Sequence, residues 1–550
     1  MIFLRQYCAI FVWSVFGIPI ECLVQVEIAC PGFVDTRRGD GALGFSAPAF
    51  EAAVEESNHR YSGILNFSAV FLSEEERTQA LDGAVLPGDA CVELVAHWYY
   101  TQRRFPSDGV SIIMGTGQAD WTRLHELAAN WNTLYFQTVS YVRSGYRLPA
   151  APVLSTGPVS LLAVGQTFVN LLQFYRWRTV YLVSDLDSPG VFNGLARQLD
   201  DLSGADSFNF TVFRRVIKAR SLERSREPYG VLLDDFCKIS RVMVFFGRAN
   251  FVRRMLIDAW TRNMTNGEYV YLSWGSADAR RHDKFGNFSW SYDDHHDEIA
   301  RRAFGSLLVI QQLEPVRNER SLSALASLLA QLRQRVRKLF NISYTEREQP
   351  REEVVASYAS IILLAQNLAS TSIYRHDAPQ LAQRFLNRTF SGEFDDIYFD
   401  GSGMRRRQTA VLHLSERAEQ LEMFLLESTD GNSELQEVRN ISRDWPGNSW
   451  PPRNEPLCGY NNERAVCQKL VLGSFIAELT VSCLGCVLLV GTFTGHRLLR
   501  IHRIQYETGW VLEHQHLRIR PILLTSACHL SSASANIHGE ASVCDTHAEA

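Results

Sequence analysis

Residues 470–493 form a 24-residue apolar stretch whose only charged residue is Glu478. Because about 20 apolar residues suffice for a helix to cross a bilayer, this stretch predicts a transmembrane helix. A buried helix of a globular core would look similar, but no further domain follows in which it could be buried. Arg497, Arg500 and Arg503 come directly after it, and an excess of arginine marks the cytoplasmic side. We therefore expect the preceding segment to lie outside the cell.

The N-terminal residues 1–22 support the same topology. Arg5 precedes an apolar run over 7–20, which is the layout of a secretory signal peptide. A signal anchor is the alternative. Cleavage is expected between Ile20 and Gln25. The two apolar segments together predict a single-pass type I protein of the cell membrane with an extracellular N-terminus.

Glycosylation signals test this topology independently. Seven Asn-x-Ser/Thr triplets precede the apolar stretch, and the sequence after it contains none. The acceptor side chains are Asn66, Asn209, Asn263, Asn287, Asn341, Asn387 and Asn440. Such triplets receive glycans on the lumenal side of the secretory membrane, so their distribution predicts a glycosylated extracellular segment.

Cysteine is sparse between the two apolar segments, with five residues. A small scaffold held by disulfides is excluded, and a large core must hold the extracellular part together. Cys458 and Cys467 bracket a short loop and are predicted to pair, as are Cys30 and Cys91. Cys237 is then odd, and is either a buried thiol or an intersubunit bridge.

Bulk composition indicates a globular protein: 46% of residues are apolar, 21% are charged, and the net charge is −5. A mildly acidic chain gives no sign of the positively charged surface that binds nucleic acid, so no nucleic-acid partner is expected.

The segment after the signal alternates short apolar runs with helical patterns, which predicts an α/β fold with parallel sheets. Apolar runs that read as strands occupy 25–29, 69–72, 110–114, 134–137, 179–183, 242–246, 269–273 and 306–310. They form two successive units. We expect a binding domain over 25–445, with a first lobe of about 25–155 plus later segments and a second lobe of about 156–305.

Local signals place several elements within these lobes. Pro48 is expected to open one helix, and Pro158 with Ser160 another. The periodicity predicts a helix over 352–368, and the apolar runs 397–399 and 410–414 resemble a β-hairpin.

Ligands of doubly wound sheets bind at the carboxyl ends of the strands, and two lobes would bind a ligand between them. The candidate cleft residues follow two predicted strands; they are Gly115, Thr116, Gly117, Gln118, Ser184 and Asp185. The glycines could instead cradle a phosphate, but the third glycine and the lysine of nucleotide motifs are missing. No cofactor is expected.

Other polar clusters have simpler interpretations. The acidic and histidine run 293–298 contains metal-ligand types, but contiguous ligands seldom converge, so a solvated helix start is expected. Arg405–Arg407 reads as a solvated turn, with a dimer or anionic-ligand contact as the alternative. The histidines and cysteines after the apolar stretch match no zinc module. We expect no metal site.

Several segments together carry a resemblance to a known family. They are CVELVAHWYY at 91–100, VSIIMGTGQADWTRLHELAANWNTLYF at 110–136, LLQFYRWRTVYLVSD at 171–185, EIARRAFGSLLVI at 298–310, FSGEFDDIYFDGSGMRRRQTAVLHL at 390–414 and WPGNSWPPRNEPLCGYNNERAVC at 445–467. They resemble the ligand-binding domain of natriuretic peptide receptors and receptor guanylate cyclases, especially the nematode type. The last segment, which resembles the juxtamembrane region of receptor cyclases, is the most specific.

The resemblance covers roughly residues 25–520 and implies a two-lobed periplasmic-binding-protein type I fold. It further implies a peptide or small-molecule extracellular ligand, and a homodimer or a heterodimer with receptor guanylate cyclases through the first lobe. Two positions depart from the family pattern. The loop 115–118 lacks the usual Pro and Cys, and Ala359 stands where an Asp usually follows the tyrosine.

A juxtamembrane segment is expected over 446–469 and a short cytoplasmic tail over 494–550. The tail has no kinase glycine loop or Val-Ala-x-Lys motif, so this chain is not expected to be an enzyme and has no candidate catalytic residue. Two explanations remain: a receptor that works without a catalytic domain, or a truncated model or splice form of a full-length guanylate cyclase. A solute-binding protein merely anchored by the helix is a further alternative.

Overall fold

The computed structural model describes most of the chain. The described residues are 23–73, 87–105, 109–116, 121–139, 152–204, 209–222, 228–276, 282–370, 377–428, 434–448, 450–461 and 465–508. The chain divides into two compact units, 1–464 and 465–550.

Two large sheets, one parallel and one mixed, organise the first unit. The first sheet has the order β2-β1-β3-β4-β5, and all neighbouring strands are parallel. Its strands are β1 (Val24–Pro31), β2 (Leu65–Leu72), β3 (Val110–Gly115), β4 (Leu134–Gln137) and β5 (Val153–Ser155). Helices cover both faces, which is why the central strands β1, β3 and β4 are buried along nearly their whole length.

The second sheet has the order β16-β15-β14-β10-β9-β8-β6-β7, parallel from β7 to β10 and antiparallel from β10 to β16. Its strands are β6 (Thr179–Asp185), β7 (Thr211–Ile217), β8 (Val242–Phe246), β9 (Val270–Ser276), β10 (Leu307–Gln312), β14 (Thr409–Ser415), β15 (Gln420–Glu427) and β16 (Leu435–Glu437). A small antiparallel sheet joins β11 (Arg388–Ser391), β12 (Asp396–Phe399) and β13 (Arg405–Arg406).

The helices of the described residues connect and cover these sheets. They are α1 (Leu43–Arg60), α2 (Pro87–His97), α3 (Trp121–Asn130), α4 (Leu161–Phe174), α5 (Gly190–Ser203), α6 (Ala219–Leu222), α7 (Gly230–Ile239), α8 (Ala249–Thr261), α9 (His282–Phe285), α10 (Asp297–Ala303), α11 (Glu319–Phe340), α12 (Arg351–Ala369), α13 (Ala378–Gln383) and α14 (Ala465–Thr508). Ser160 caps α4 as expected, since its hydroxyl oxygen accepts from the Ala163 amide at 3.2 Å.

The chain passes between the lobes three times. It leaves the first lobe after β5, returns after β10 to build α11 to α13 and β11 to β13, and leaves again after β13. The buried core of α1, α11, α12 and the first sheet is continuous, and the second sheet has its own cores on each face. This is the two-lobed α/β architecture that the sequence predicts.

Three local predictions are wrong. The segments 397–399 and 410–414 form no hairpin, because β12 pairs with β11 and β13 whereas β14 pairs with β10 and β15. Pro48 lies inside α1 and does not open it. The second lobe extends beyond 156–305, since it takes β10 and the later strands β14 to β16.

The cysteine predictions have mixed outcomes. The predicted Cys30–Cys91 bridge is not formed. Cys30 belongs to the core that β1 shares with α1 and α12, whereas Cys91 belongs to the core on the opposite face of the sheet. Cys458 is disulfide-bonded, and the side chain of its predicted partner Cys467 lies outside the described residues. Cys237 is half-buried, and its thiol donates to the Asp234 carbonyl at 3.3 Å.

The segment before α14 is docked on the second lobe. We call residues 445–454 the docking segment. Its Trp445 indole donates to the Gly267 carbonyl at 3.0 Å, and the Trp177 indole donates to the Pro452 carbonyl at 2.9 Å. Asn454 accepts hydrogen bonds from two amides at the start of β6. The segment predicted as a juxtamembrane connection is therefore partly a component of the second-lobe core.

The described residues of the second unit form α14, whose bounds enclose the predicted transmembrane stretch 470–493. Within the described residues, Glu478–Tyr506 is long and apolar enough to cross a membrane, and an 18-residue stretch of it has a mean hydropathy of 1.6.

Candidate interlobe ligand site

Elements that follow the carboxyl ends of parallel strands in the two lobes are in contact with each other. A loop and a short 3₁₀ helix, Thr36–Arg38, follow β1 in the first lobe. In the second lobe, α9 is the next described element after β9. Asp40 and Lys284 lie in these elements, and the Lys284 Nζ to Asp40 Oδ1 distance is 2.6 Å. The two lobes therefore meet at their strand ends, where α/β folds bind ligands.

Further polar groups surround this ion pair. The Arg248 guanidinium donates to the Lys284 carbonyl at 2.7 Å, which ties the loop after β8 to α9. Arg37 is held by Asp35 but its side chain is 89% exposed. Arg37, Asp40, Arg248 and Lys284 place positive and negative charge on the cleft edge. They were missed because the strand-end rule was applied to β3 and β6 but not to β1, β8 and β9.

The sequence-predicted residues of the first lobe do lie at a strand end. Gly115 is the last residue of β3, and a Cβ there would stand 2.1 Å from the Tyr135 hydroxyl oxygen, so only glycine fits. Thr116 is fully buried and its hydroxyl donates to the Pro31 carbonyl at 2.7 Å. Gly115 and Thr116 therefore contact β4 and β1, and they support the loops that follow these strands. Gly117 and Gln118 lie outside the described residues.

Ser184 and Asp185 occupy the equivalent position in the second lobe. Both are fully buried at the end of β6. The Asp185 carboxylate accepts from the Ala219 amide at 2.8 Å and from the Asp187 amide at 3.1 Å. It therefore fixes the loops after β6 and β7. The Ser184 hydroxyl has no hydrogen-bond partner among the described residues.

A buried ionic network, which we call the hinge network, joins the connections between the lobes. It consists of Arg317, Glu352, Asp395, Arg405 and Arg407, each with a side chain no more than 10% exposed. Arg317 binds Glu352 through two hydrogen bonds of 2.8 and 3.1 Å, and Arg407 binds the same carboxylate. Arg405 binds Asp395. The prediction of a solvated turn at 405–407 is wrong.

The hinge network touches all three passages between the lobes. Arg317 follows β10, and Arg405 and Arg407 flank the passage into β14. The guanidinium of Arg405 donates to the Thr156 carbonyl at 3.4 Å and that of Arg407 to the Pro158 carbonyl at 3.5 Å, both in the passage after β5. Changes in the angle between the lobes must therefore act on these contacts.

Electrostatics reinforce the network. Burial alone would raise the pKa of Glu352, but the hydrogen bond from Arg317 and the charges of Arg407, Arg317 and Arg405 lower it to about 2. Burial, together with the nearby Arg405, lowers the pKa of Arg407 to about 10. Glu352 is therefore ionised at neutral pH and compensates two arginines.

The acidic run at 293–298 has a structural role. Asp297 begins α10, as expected, and its carboxylate accepts from the buried Arg253 at 2.6 Å. Asp294 accepts two further hydrogen bonds from Arg253, at 2.8 and 2.9 Å, and this partner lowers the pKa of Asp294. Among the described residues, no group of three or more His, Cys, Asp or Glu side chains is arranged to hold a metal ion.

All seven sequon asparagines are exposed in the described residues, which makes each accessible to an oligosaccharide. Their glycosylation stays a prediction.

Comparison with known protein families identifies the two lobes. The family described as "Receptor family ligand binding region" matches residues 46–416, which include the hinge network and the strands from β2 to β14. The chain belongs to this receptor family. The resemblance to natriuretic peptide receptors and receptor guanylate cyclases is thereby confirmed, and the two lobes are a receptor ligand-binding region.

Individual relatives of this receptor family are distant. Guanylate cyclase 32E of Drosophila melanogaster is 23% identical over 393 residues, covering 66% of this chain and 31% of that protein. Atrial natriuretic peptide receptor 3 of Mus musculus is 22% identical over 191 residues, covering 34% of each chain. The chain thus spans about a third of the length of these curated relatives.

Among solved structures, an ABC transporter substrate-binding protein from Desulfitobacterium hafniense aligns at 16% identity with a TM-score of 0.42. That alignment covers 73% of this chain and 99% of the other.

Proposed function

We propose that this chain is a single-pass cell-surface receptor that binds an extracellular ligand between its two lobes. The observation that carries the proposal is the meeting of the strand-end loops, bridged by Asp40 and Lys284. A ligand that enters there contacts both lobes and biases the angle between them. The docking segment is bound to the second lobe and precedes α14 in the chain, so it connects that lobe covalently to α14.

A photo-crosslinking amino acid in place of Arg37 tests the ligand site. The full chain is displayed on cells, exposed to extracellular fluid, irradiated and examined by mass spectrometry. Glu346 is the control position, because its side chain is 81% exposed in the loop between α11 and α12. We expect a ligand to crosslink at position 37 and not at position 346. Equal capture at both positions, or capture at neither, contradicts the proposed site.

Glycosidase mapping tests the topology. Digestion of the intact surface protein should remove glycans from the seven exposed asparagines, and a C-terminal tag should be detected only after the cells are permeabilised. A tag that is accessible on intact cells would contradict the proposed orientation.

We also propose that the receptor dimerises through the first lobe. The supporting feature is an exposed aromatic group on that lobe. Tyr99 stacks on Trp131 with ring centroids 4.0 Å apart, and Tyr100, 73% exposed, accepts from the Trp131 indole at 3.1 Å. Tyrosine and tryptophan are enriched in protein interfaces. Tyr100→Glu should abolish co-precipitation of two differently tagged copies. Tyr292, which is 39% exposed between α9 and α10 of the second lobe, is the control position, and Tyr292→Glu should not abolish it.

A link to cyclic GMP signalling is a further proposal, favoured by the match to Guanylate cyclase 32E over 393 residues. The chain would either regulate full-length receptor cyclases as a partner, or be part of one. Sequencing the transcript beyond the codon for Arg520 distinguishes these: an open frame that continues into a kinase-like domain favours the enzyme.

A further inference from the structure

A second cavity lies in the first lobe, away from the interlobe cleft. Its volume is about 410 Å³, which is within the usual range for small-molecule sites. The C-terminal half of α1, the middle of α12 and the turn between β11 and β12 enclose it. We call it the α1–α12 pocket.

One wall of the α1–α12 pocket is apolar. Ala359, Ile362 and Leu363 line it from α12, and Phe394 closes it from the turn. The Phe394 and Tyr358 rings lie 5.8 Å apart at an interplanar angle of 53°. Two aromatic rings beside aliphatic side chains suit a small apolar body and also attract a positive charge.

The polar groups of the pocket leave one negative charge uncompensated. Glu56 accepts from both the Tyr358 hydroxyl and the Arg60 guanidinium, and Asp395 is bound by the arginines of the hinge network. The carboxylate of Glu393, in contrast, has no hydrogen bond or ion pair within the described part of the chain. The charge balance therefore favours a cationic occupant.

The turn that carries Glu393 is tightly constrained. The Gly392 amide donates to the Asp395 carbonyl at 3.1 Å, and a Cβ on Gly392 would stand 2.5 Å from that oxygen. Glu393 and Phe394 are consequently held over the pocket by backbone geometry.

We propose that the α1–α12 pocket binds a small organic cation, a protonated amine carried on an aromatic or aliphatic body. The ammonium group pairs with Glu393 at the rim and the apolar body packs against Phe394 and α12. Asp395 belongs both to the pocket lining and to the hinge network, so occupancy of the pocket bears on the connections between the lobes. The proposal goes beyond the interlobe ligand site and does not rest on it.

Calorimetric titration of the purified full chain in detergent tests the proposal, with 2-phenylethylammonium chloride as the probe and neutral 2-phenylethanol as its matched analogue. We expect saturable binding of the amine and at least about tenfold weaker binding of the alcohol, because the alcohol forms no charge-assisted hydrogen bond.

Two variants locate the site. Glu393→Gln keeps the shape of the side chain and should weaken amine binding about tenfold. Ala359→Phe fills the cavity and should abolish binding of the amine. Glu346→Gln is the control, since Glu346 is exposed outside the pocket, and should bind as the parent does. Equal affinity for amine and alcohol, or undiminished amine binding by both pocket variants, overturns the proposal.

Discussion

At the scale of single residues, the buried charges of the hinge network set how this receptor responds to substitution and to acid. Three arginines and two carboxylates share one buried site. Removing one member of a buried ion pair leaves its partner uncompensated, which costs far more than removing an exposed pair.

Glu352→Gln should lower the free energy of unfolding by about 3–5 kcal/mol, because Arg317 and Arg407 would lose their carboxylate. Thermal unfolding of the full chain in detergent measures this. The control Glu298→Gln removes an exposed partner of Arg302 and should leave the melting temperature unchanged. Equal effects of the two variants would contradict a stabilising role for the network.

Glu352 also makes the stability of the folded chain depend on pH in the acid range. The pKa of Glu352 is about 2 in the folded chain and about 4.5 ordinarily, so its stabilising effect is present above pH 4.5 and disappears as the pH falls toward 2. Glu352→Gln should therefore lose less stability than the parent over that interval.

His413 makes the stability of the folded chain depend on pH over a separate, less acidic range. Burial lowers its pKa to about 4, against the opposing effect of the hydrogen bond to the Gly305 carbonyl. The unfolded side chain gains a proton near pH 6.5 while the folded one stays neutral, so stability falls between about pH 6.5 and 4.

His413→Gln should flatten the dependence of the free energy of unfolding on pH over that window, by up to about 3 kcal/mol at its acid end, and thermal unfolding at a series of pH values measures this. The exposed His59→Gln serves as the control and should reproduce the slope of the parent. A slope that His413→Gln leaves unchanged would show that other groups cause it.

At the scale of elements, the docking segment shows how a connection becomes part of a core. Trp445 and Trp450 pack among the side chains of the second lobe, and Trp450 lies beside Tyr175, Trp177 and Trp445. Gly267 makes the docking possible. Its φ is +97°, and a Cβ there would lie 1.9 Å from the Pro446 carbonyl oxygen.

Gly267→Ala should displace the docking segment and destabilise the second lobe. Gly63→Ala is the matched control, since Gly63 also has a positive φ, of +83°, but no atom within 4 Å of the added Cβ. The control should cost about 1 kcal/mol from backbone strain alone. Gly267→Ala should cost clearly more and should expose 445–454 to protease. Equal costs would mean that the close approach contributes nothing.

Element prediction succeeded where the signal is local. Strands β4 and β8 coincide with the predicted 134–137 and 242–246, and α12 with the predicted helix at 352–368, because continuous apolar runs and helical periodicity are local properties. Helix α11 was missed although Leu325, Leu329, Leu332 and Val336 recur on one buried face. The hairpin prediction failed because strand pairing is decided by partners distant in sequence.

At the scale of the whole molecule, the proposed ligand binding depends on contacts between the two lobes. The hinge network lies at the connections, and the Asp40–Lys284 pair lies at the cleft edge. This pair is partly exposed, so it contributes about 0.2–1 kcal/mol to closure, or up to about fivefold in the closed-to-open ratio.

Asp40→Lys should therefore open the cleft, and adding Lys284→Asp should restore closure, because the swapped charges attract again. Fluorescence energy transfer between labels on the two lobes of the full chain measures this. Opening by the single variant without recovery in the double variant would contradict an electrostatic latch.

The amino-acid sequence alone determined the α/β class, the two lobes, the family and the apolar helix, because these follow from local periodicity, composition and motifs. Only the tertiary structure decided the partners. It placed Arg405 and Arg407 in a buried network, set Cys30 and Cys91 on opposite faces of a sheet, and positioned Asp185 as a support for loops. The physical reason is that burial and pairing depend on contacts between residues far apart in the chain. The sequence of one segment does not specify which distant residues will contact it.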